Sequence, residues 1–250
     1  MFEEKHHILI FILLILSNSV FPQHDKIPSI KKTNGVFQFI VKEKPYLMLG
    51  GELSNSATSD VEMMKGIWGK LKDMNLNTVL APVYWELIEP EEDKFDFTLV
   101  DTMINQAREK DLHLVLLWFG SWKNSMSCYV PEWIKEDYKR FPHTLDADGK
   151  PAEIVSPFCK EALTADIKAF SELMKHIKSV DEIEQTVIMM QVENEIGQLP
   201  DARDYSTLAN RAFQADVPKE LMDYLSKNRK NLLPSIENLW ASNGYKQKGN

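Results

Sequence analysis

Glu193, Asn194 and Glu195 close the run Thr186 to Gly197, TVIMMQVENEIG, and carry the densest chemistry in this chain. Two carboxyls with one residue between them at the tip of an apolar element suit proton transfer. Partial burial and a nearby like charge both raise a carboxyl's pKa, and a raised carboxyl can donate a proton near neutral pH. Further carboxyls stand at Glu52, behind Gly50-Gly51, and at Glu86, behind Trp85. Trp85, Trp118 and Trp122 add flat apolar faces, with core packing the competing reading for Trp85 and anchoring of its own loop that for Trp122. Metal chemistry finds no support: His6 and His7 lie near the start, His113, His143 and His176 stand far apart, and no Cys/His cluster has ligand spacing. No metal and no cofactor is expected.

These residues need an element to hold them. Read at a period of two, Ile188, Met190 and Val192 share one face, while Val187, Met189, Gln191, Glu193 and Glu195 share the other. The second face turns from apolar to acidic as the strand ends, as a parallel barrel strand does with chemistry at its C-terminal tip. A buried strand running into an acidic loop fits the same spacing. In the barrel reading Glu193 is a structural residue inside the barrel. Strict alternation points Asn194 away from Glu195, so the pleat must break for both to serve one site.

Upstream, the pattern repeats as strand then helix. After a polar linker (20–35), Val36 to Val41 and Tyr46 to Leu49 read as a hairpin whose second run continues to Gly50-Gly51-Glu52. Ser59 and Glu62 read as a capping box before a helix carrying Met64, Ile67, Trp68 and Leu71. A second strand, Thr78 to Tyr84, is expected to end or bulge at Pro82, and a helix follows from Thr98 to Lys110. The third strand is His113 to Trp118. From Phe119 to Pro157 no long periodic run occurs, and this segment, with Trp122, Tyr129 and Trp133, reads as a lid over the site. A helix from Glu161 to Ser179, with Leu163, Ile167, Phe170, Met174 and Ile177 inward, leads to the central strand. Repeated β-α units with right-handed crossovers make a parallel sheet or barrel, and the absence of a Gly-rich phosphate turn argues against a doubly wound sheet. Beyond Gly197 the segments 208–213, 218–230 and 235–240 read as helices or loops, with no fifth strand.

Composition narrows the partners. The chain has 250 residues, 44% of them hydrophobic, and a net charge of -8. One large core is possible, and no basic footprint for nucleic acid is visible. Ile8 to Leu16 is apolar but too short to span a bilayer, so no stable membrane span is expected. Followed by Ser17-Asn18-Ser19, it reads as a signal peptide over residues 1–19, with export to the periplasm or the exterior. Cys128 and Cys159 are read as free, buried thiols, although pairing in an oxidising compartment stays open.

Gln191 to Gly197, QVENEIG, resembles the signature of glycoside hydrolase family 35, the β-galactosidases of clan A, with the family 42 β-galactosidases a close competitor. Val83 to Phe97, VYWELIEPEEDKFDF, resembles the second-strand region of the same families. The departures are Glu184-Gln185-Thr186 in place of Gly-Gly-Pro, Ile196 in place of an aromatic, and Gly51 to Ser56 in place of a motif with His and Arg. The resemblance implies a TIM (β/α)8-type barrel with a carbohydrate substrate, and hydrolysis of terminal β-galactosides or related β-glycosides with retention. It implies Glu195 as general acid/base and Asn194 as holder of the sugar's 2-hydroxyl; Trp85, Glu86, Trp118, Trp122 and Glu52 are expected to face substrate beside them. The nucleophile of such enzymes ends the seventh strand, whereas Glu195 ends the fourth. Residues 36–250 are therefore expected to hold about four β/α units after the N-terminal hairpin, inactive and self-associating without the downstream half of the barrel. A catalytically inert sugar-binding barrel fragment is the alternative reading, and a structural exported domain a third.

Overall fold

A computed structural model describes residues 27–123, 127–199 and 201–249. The expected signal peptide lies outside the described residues. The chain opens with an antiparallel sheet of β1 (Ser29–Thr33), β2 (Val36–Val41) and β3 (Lys44–Pro45). Its turns, Asn34-Gly35 and Lys42-Glu43, both have positive φ, the twist that two-residue hairpins require. Ser29 to Thr33, expected as linker, is thus a strand, because Asn34-Gly35 folds it back onto β2.

The core unit follows: β4 (Gly50–Glu52), α1 (Val61–Lys65), α2 (Trp68–Asp73), β5 (Thr78–Tyr84), α3 (Trp85–Ile88), α4 (Thr98–Glu109) and β6 (His113–Phe119). After β6 come the short α5 (Glu132–Lys135), the hairpin β7 (His143–Leu145) and β8 (Pro151–Val155), the long α6 (Lys160–Asp181) and β9 (Val187–Gln191). Strands β4, β5, β6 and β9 pair in that order, all parallel, as β-α repeats with intervening helices demand. The helix-side core packs Val79, Ala81, Val83, Leu114 and Leu116 against α4 and α6. The opposite, concave face carries Tyr84, Val115, Leu117, Phe119 and Ile188, and Val41, Phe39 and Tyr46 of the hairpin pack onto it. Tyr46 fixes that plug by bonding Thr78 Oγ1 and the Asn77 carbonyl, each at 2.9 Å.

Several expectations shift in detail. Asp60, not Ser59, caps α1, accepting from the Glu62 and Met63 amides, and a break near Gly66 divides the expected first helix into α1 and α2. Pro82 neither ends nor bulges β5. Residues 80 and 82 turn their polar groups toward β4, where Thr58 Oγ1 donates to the Pro82 carbonyl at 2.6 Å, so the missing N–H falls outside the β5–β6 ladder. On α6 the buried positions are Ala162, Asp166, Ala169, Leu173, Ile177 and Asp181, while Leu163, Ile167 and Met174, expected inward, are exposed. Small alanines let the helix lie close to the sheet, and the larger apolar residues next to them form an outward stripe. A β-bulge between β6 and β9 breaks the strict alternation: Val187 and Met190 pack on the helix side, while Ile188 packs on the concave side.

Beyond β9 run α7 (Thr207–Gln214), α8 (Lys219–Lys227) and α9 (Pro234–Ser242). Asp204 ties the start of this region to the β7–β8 hairpin, accepting from the Leu145 amide at 3.0 Å and Ser156 Oγ at 2.7 Å. α8 and α9 bury no residue. Among the described residues the parallel sheet has four strands, so β4 and β9 are its two edges.

Candidate active site

The C-terminal tips of the four parallel strands converge on the loops carrying Glu52, Glu86, Trp122-Lys123 and Glu193 to Glu195. β9 ends at Gln191, and Glu195 takes a left-handed backbone, φ +51°. The pleat therefore breaks, as the Asn194 and Glu195 pairing required. Asn194 turns inward and is buried, while Glu195 is exposed. A left-handed conformation costs a residue with a Cβ about 1–2 kcal/mol, so contacts must hold it.

Lys123 supplies one. Its side chain is 7% exposed, and its ammonium donates to Glu195 Oε2 at 3.0 Å. The same ammonium lies 5.0 Å from the centre of the Phe119 ring, a cation-π contact that helps a charged group tolerate burial. The Lys123 backbone forms a parallel bridge with Asn194 and an antiparallel one with Ser127, locking the loop after β6 to the loop after β9. Beneath lie Tyr84, Phe119 and Tyr129, with ring centres 5.1 to 5.8 Å apart. Asn194 Oδ1 is buried and finds no hydrogen-bond partner among the described residues. A stranded acceptor of this kind costs about 1–3 kcal/mol, and a ligand hydroxyl is the chemistry that would satisfy it.

Glu193 lies on the other side of the sheet. With Val192 it borders a recess of about 270 Å³ between α6 and the strand tips, whose walls include Trp118, Trp122, Phe170 and Asp166. The reading of Glu193 as a barrel-interior residue is thereby corrected: past the bulge, the chain turns it toward α6. Burial, and then the Asp166 carboxylate, push its pKa up to about 7. Asp166 is itself fully engaged, accepting from Trp118 Nε1 at 2.8 Å and from the Ser121 amide and Oγ at 3.1 and 2.5 Å. Gly120 makes room for this network, since a Cβ there would sit 2.4 Å from Trp118 Nε1.

A parallel sheet with its polar and ionic cluster at the strand tips is the arrangement of barrel glycosidases, and comparison with known proteins agrees. The family model described as beta-galactosidase, glycoside hydrolase family 42, matches residues 55–247. This chain belongs to glycoside hydrolase family 42. The resemblance to clan A thus holds, and of the two families weighed it is 42 that matches. None of the curated proteins compared matches this family 42 chain in sequence. Among solved structures it is similar to the catalytic domain of a beta-amylase from Paenibacillus polymyxa, at a TM-score of 0.51 and 16% identity, over 77% of this chain. That likeness concerns the fold, and the family 42 chain spans about half of that domain, 49%.

Within this family 42 chain the sequence-derived site residues divide into groups. Asn194 and Glu195 come together with Lys123. Trp118 and Trp122 border the recess with Glu193, and Trp118 is almost wholly buried there. Trp85, expected to face substrate, is fully buried in the helix-side core, donating to Glu89 Oε2 at 2.6 Å and packing on Trp118 and Trp133. Its role is packing, because the chain turns into α3 immediately after Tyr84. Glu86 is ion-paired to Lys135 at 2.7 Å. Glu52 is exposed at the tip of β4, three strands from β9 and so roughly 14 Å along the sheet at a spacing of about 4.8 Å. The expected lid has secondary structure of its own: Trp133 anchors it to the Glu89 carbonyl at 3.2 Å, and Tyr129 joins the aromatic floor. Lys123 was missed because a lone lysine in a loop reads as solvated, and burial shows only in three dimensions. Among the described residues no group of His, Cys, Asp and Glu could hold a metal, and Cys128 and Cys159 are free and buried.

Proposed function

We propose that this chain is the acid/base half of a retaining β-glycosidase acting on terminal β-galactosides or closely related β-glycosides. The observation that carries the reading is Glu195, presented at the tip of the fourth parallel strand beside buried Asn194 and held by Lys123. In this reading Glu195 donates its proton to the leaving oxygen and then, as a carboxylate, activates the water that releases the sugar. Asn194 Oδ1 accepts a hydrogen bond from a sugar hydroxyl, a bond that can strengthen as positive charge develops at the anomeric carbon. The aromatic floor of Tyr84, Phe119 and Tyr129 shields the pair from one side.

Retention needs a second carboxyl roughly 5 Å from the first. Glu52 is too far along the sheet, Glu86 is committed to Lys135, and Glu193 faces α6. The nucleophile therefore comes from a downstream half of the barrel, a reading supported by the two open sheet edges and by the half-length match to the amylase domain. The test is proton NMR of β-galactoside hydrolysis by this chain joined to that half. Release of β-galactose as the first anomer supports the proposal. First release of the α-anomer, or cleavage confined to α-linked sugars, contradicts it.

A further inference from the structure

We infer that Lys123 is a positioning residue for Glu195, an inference that rests on the acid/base reading above. Three independent contacts pin Lys123. Its backbone bridges to Asn194, its own loop closes through Ser127 (Lys123 N–H to the Ser127 carbonyl at 2.8 Å), and its ammonium lies over Phe119. With the backbone joined to Asn194 and the side chain joined to the next residue, Glu195, the lysine closes a small ring around the Asn194–Glu195 peptide. That ring holds Glu195 in its left-handed conformation, and the left-handed turn lets adjacent residues serve different surroundings, Asn194 inward and Glu195 outward. A surface lysine would be a weak clamp, because an exposed pair is screened and its side chains are mobile. Lys123 is 7% exposed and Glu195 62%, so the lysine end of the pair is fixed by burial and solvent screens only the carboxylate end.

The experiment has a structural arm and a kinetic arm. In NMR spectra of this chain, couplings that report the sign of φ at Glu195 should be positive-φ for the parent and for Lys123→Arg, and should leave that region in Lys123→Met. Should Lys123→Met not fold, Glu195→Ala gives the reciprocal reading: the Lys123 ammonium protons, protected in the parent, should exchange too fast to observe. Retained positive φ in Lys123→Met, or unchanged ammonium protection in Glu195→Ala, overturns the inference. In the chain joined to its downstream half, Lys123→Met should lower kcat on alkyl β-galactosides roughly tenfold or more, with KM little changed, and spare activated aryl galactosides. Lys123→Arg should recover most of the loss. Equal losses on both substrates would mark Lys123 as merely structural. Glu195→Gln is the control that separates the two claims: if it shows no leaving-group dependence, the acid/base reading fails, whereas if it does and Lys123→Met matches the parent, only the positioning role fails.

Discussion

Glu193 and Glu195 are two residues apart, yet the bulge in β9 and the left-handed turn at Glu195 give them different tasks. Glu195 meets Lys123 on the open side, and Glu193 meets Asp166 across the recess. The second pairing makes a pH prediction. Burial and Asp166 raise the Glu193 carboxyl from 4.5 to about 7, so between those values the folded chain binds a proton that the unfolded chain has released. This contribution to stability is complete below about pH 4.5, declines as pH rises, and is gone above about pH 7. Glu193 borders the recess yet keeps much of its surface in solvent, so its burial is partial and screening keeps the effect modest. Glu193→Gln should therefore flatten the fall in melting temperature across that window, and an unchanged slope would show that Glu193 does not carry the shift.

At the scale of elements, Asp166 joins α6 to the tip of β6 through Trp118 and Ser121. Asp166→Ala strands a buried indole N–H and opens a gap, so urea unfolding should show a loss of about 2–4 kcal/mol. A loss under about 0.5 kcal/mol would mean that the network contributes nothing net. The elements themselves were legible in the residues. Periodicity located β5, β6, α4 and α6 to within a residue or two, because long apolar repeats leave few alternatives, and it placed the start of β9 but carried the strand about four residues past its end at Gln191. The rotation of α6 was not legible: Leu163 and Ile167 are the more apolar choice for an inward face, and only the close approach allowed by Ala162 and Ala169 turns them out. Nor was the bulge, since one extra residue leaves no mark on composition. Of the site, Asn194 and Glu195 were legible as a motif at a strand end. Trp85 was misjudged, because an aromatic at a strand tip looks the same in sequence whether it faces the core or a ligand.

At the scale of the whole molecule, the four-stranded sheet leaves apolar surface beside its β9 edge. Leu163 and Ile167 on α6 are more than half exposed, and Val192 and Ile196 join them past the strand. Exposed stripes beside an unpaired edge favour association. In sedimentation of the isolated chain, Leu163→Glu with Ile167→Lys should shift material from oligomer to monomer, and no change would place the sticky surface elsewhere. In the proposed retaining mechanism one carboxyl at the tip of β9 does not suffice, and a second is required. The central claim is that Glu195 donates the proton. Its most direct test compares Glu195→Gln with the parent, in the chain joined to its downstream half, on alkyl and activated aryl β-galactosides. Only the poor alkyl leaving group needs the proton, so its rate should fall by roughly a hundredfold or more while the aryl substrate is far less affected. Equal losses on both, or no loss on either, would contradict the acid role of Glu195.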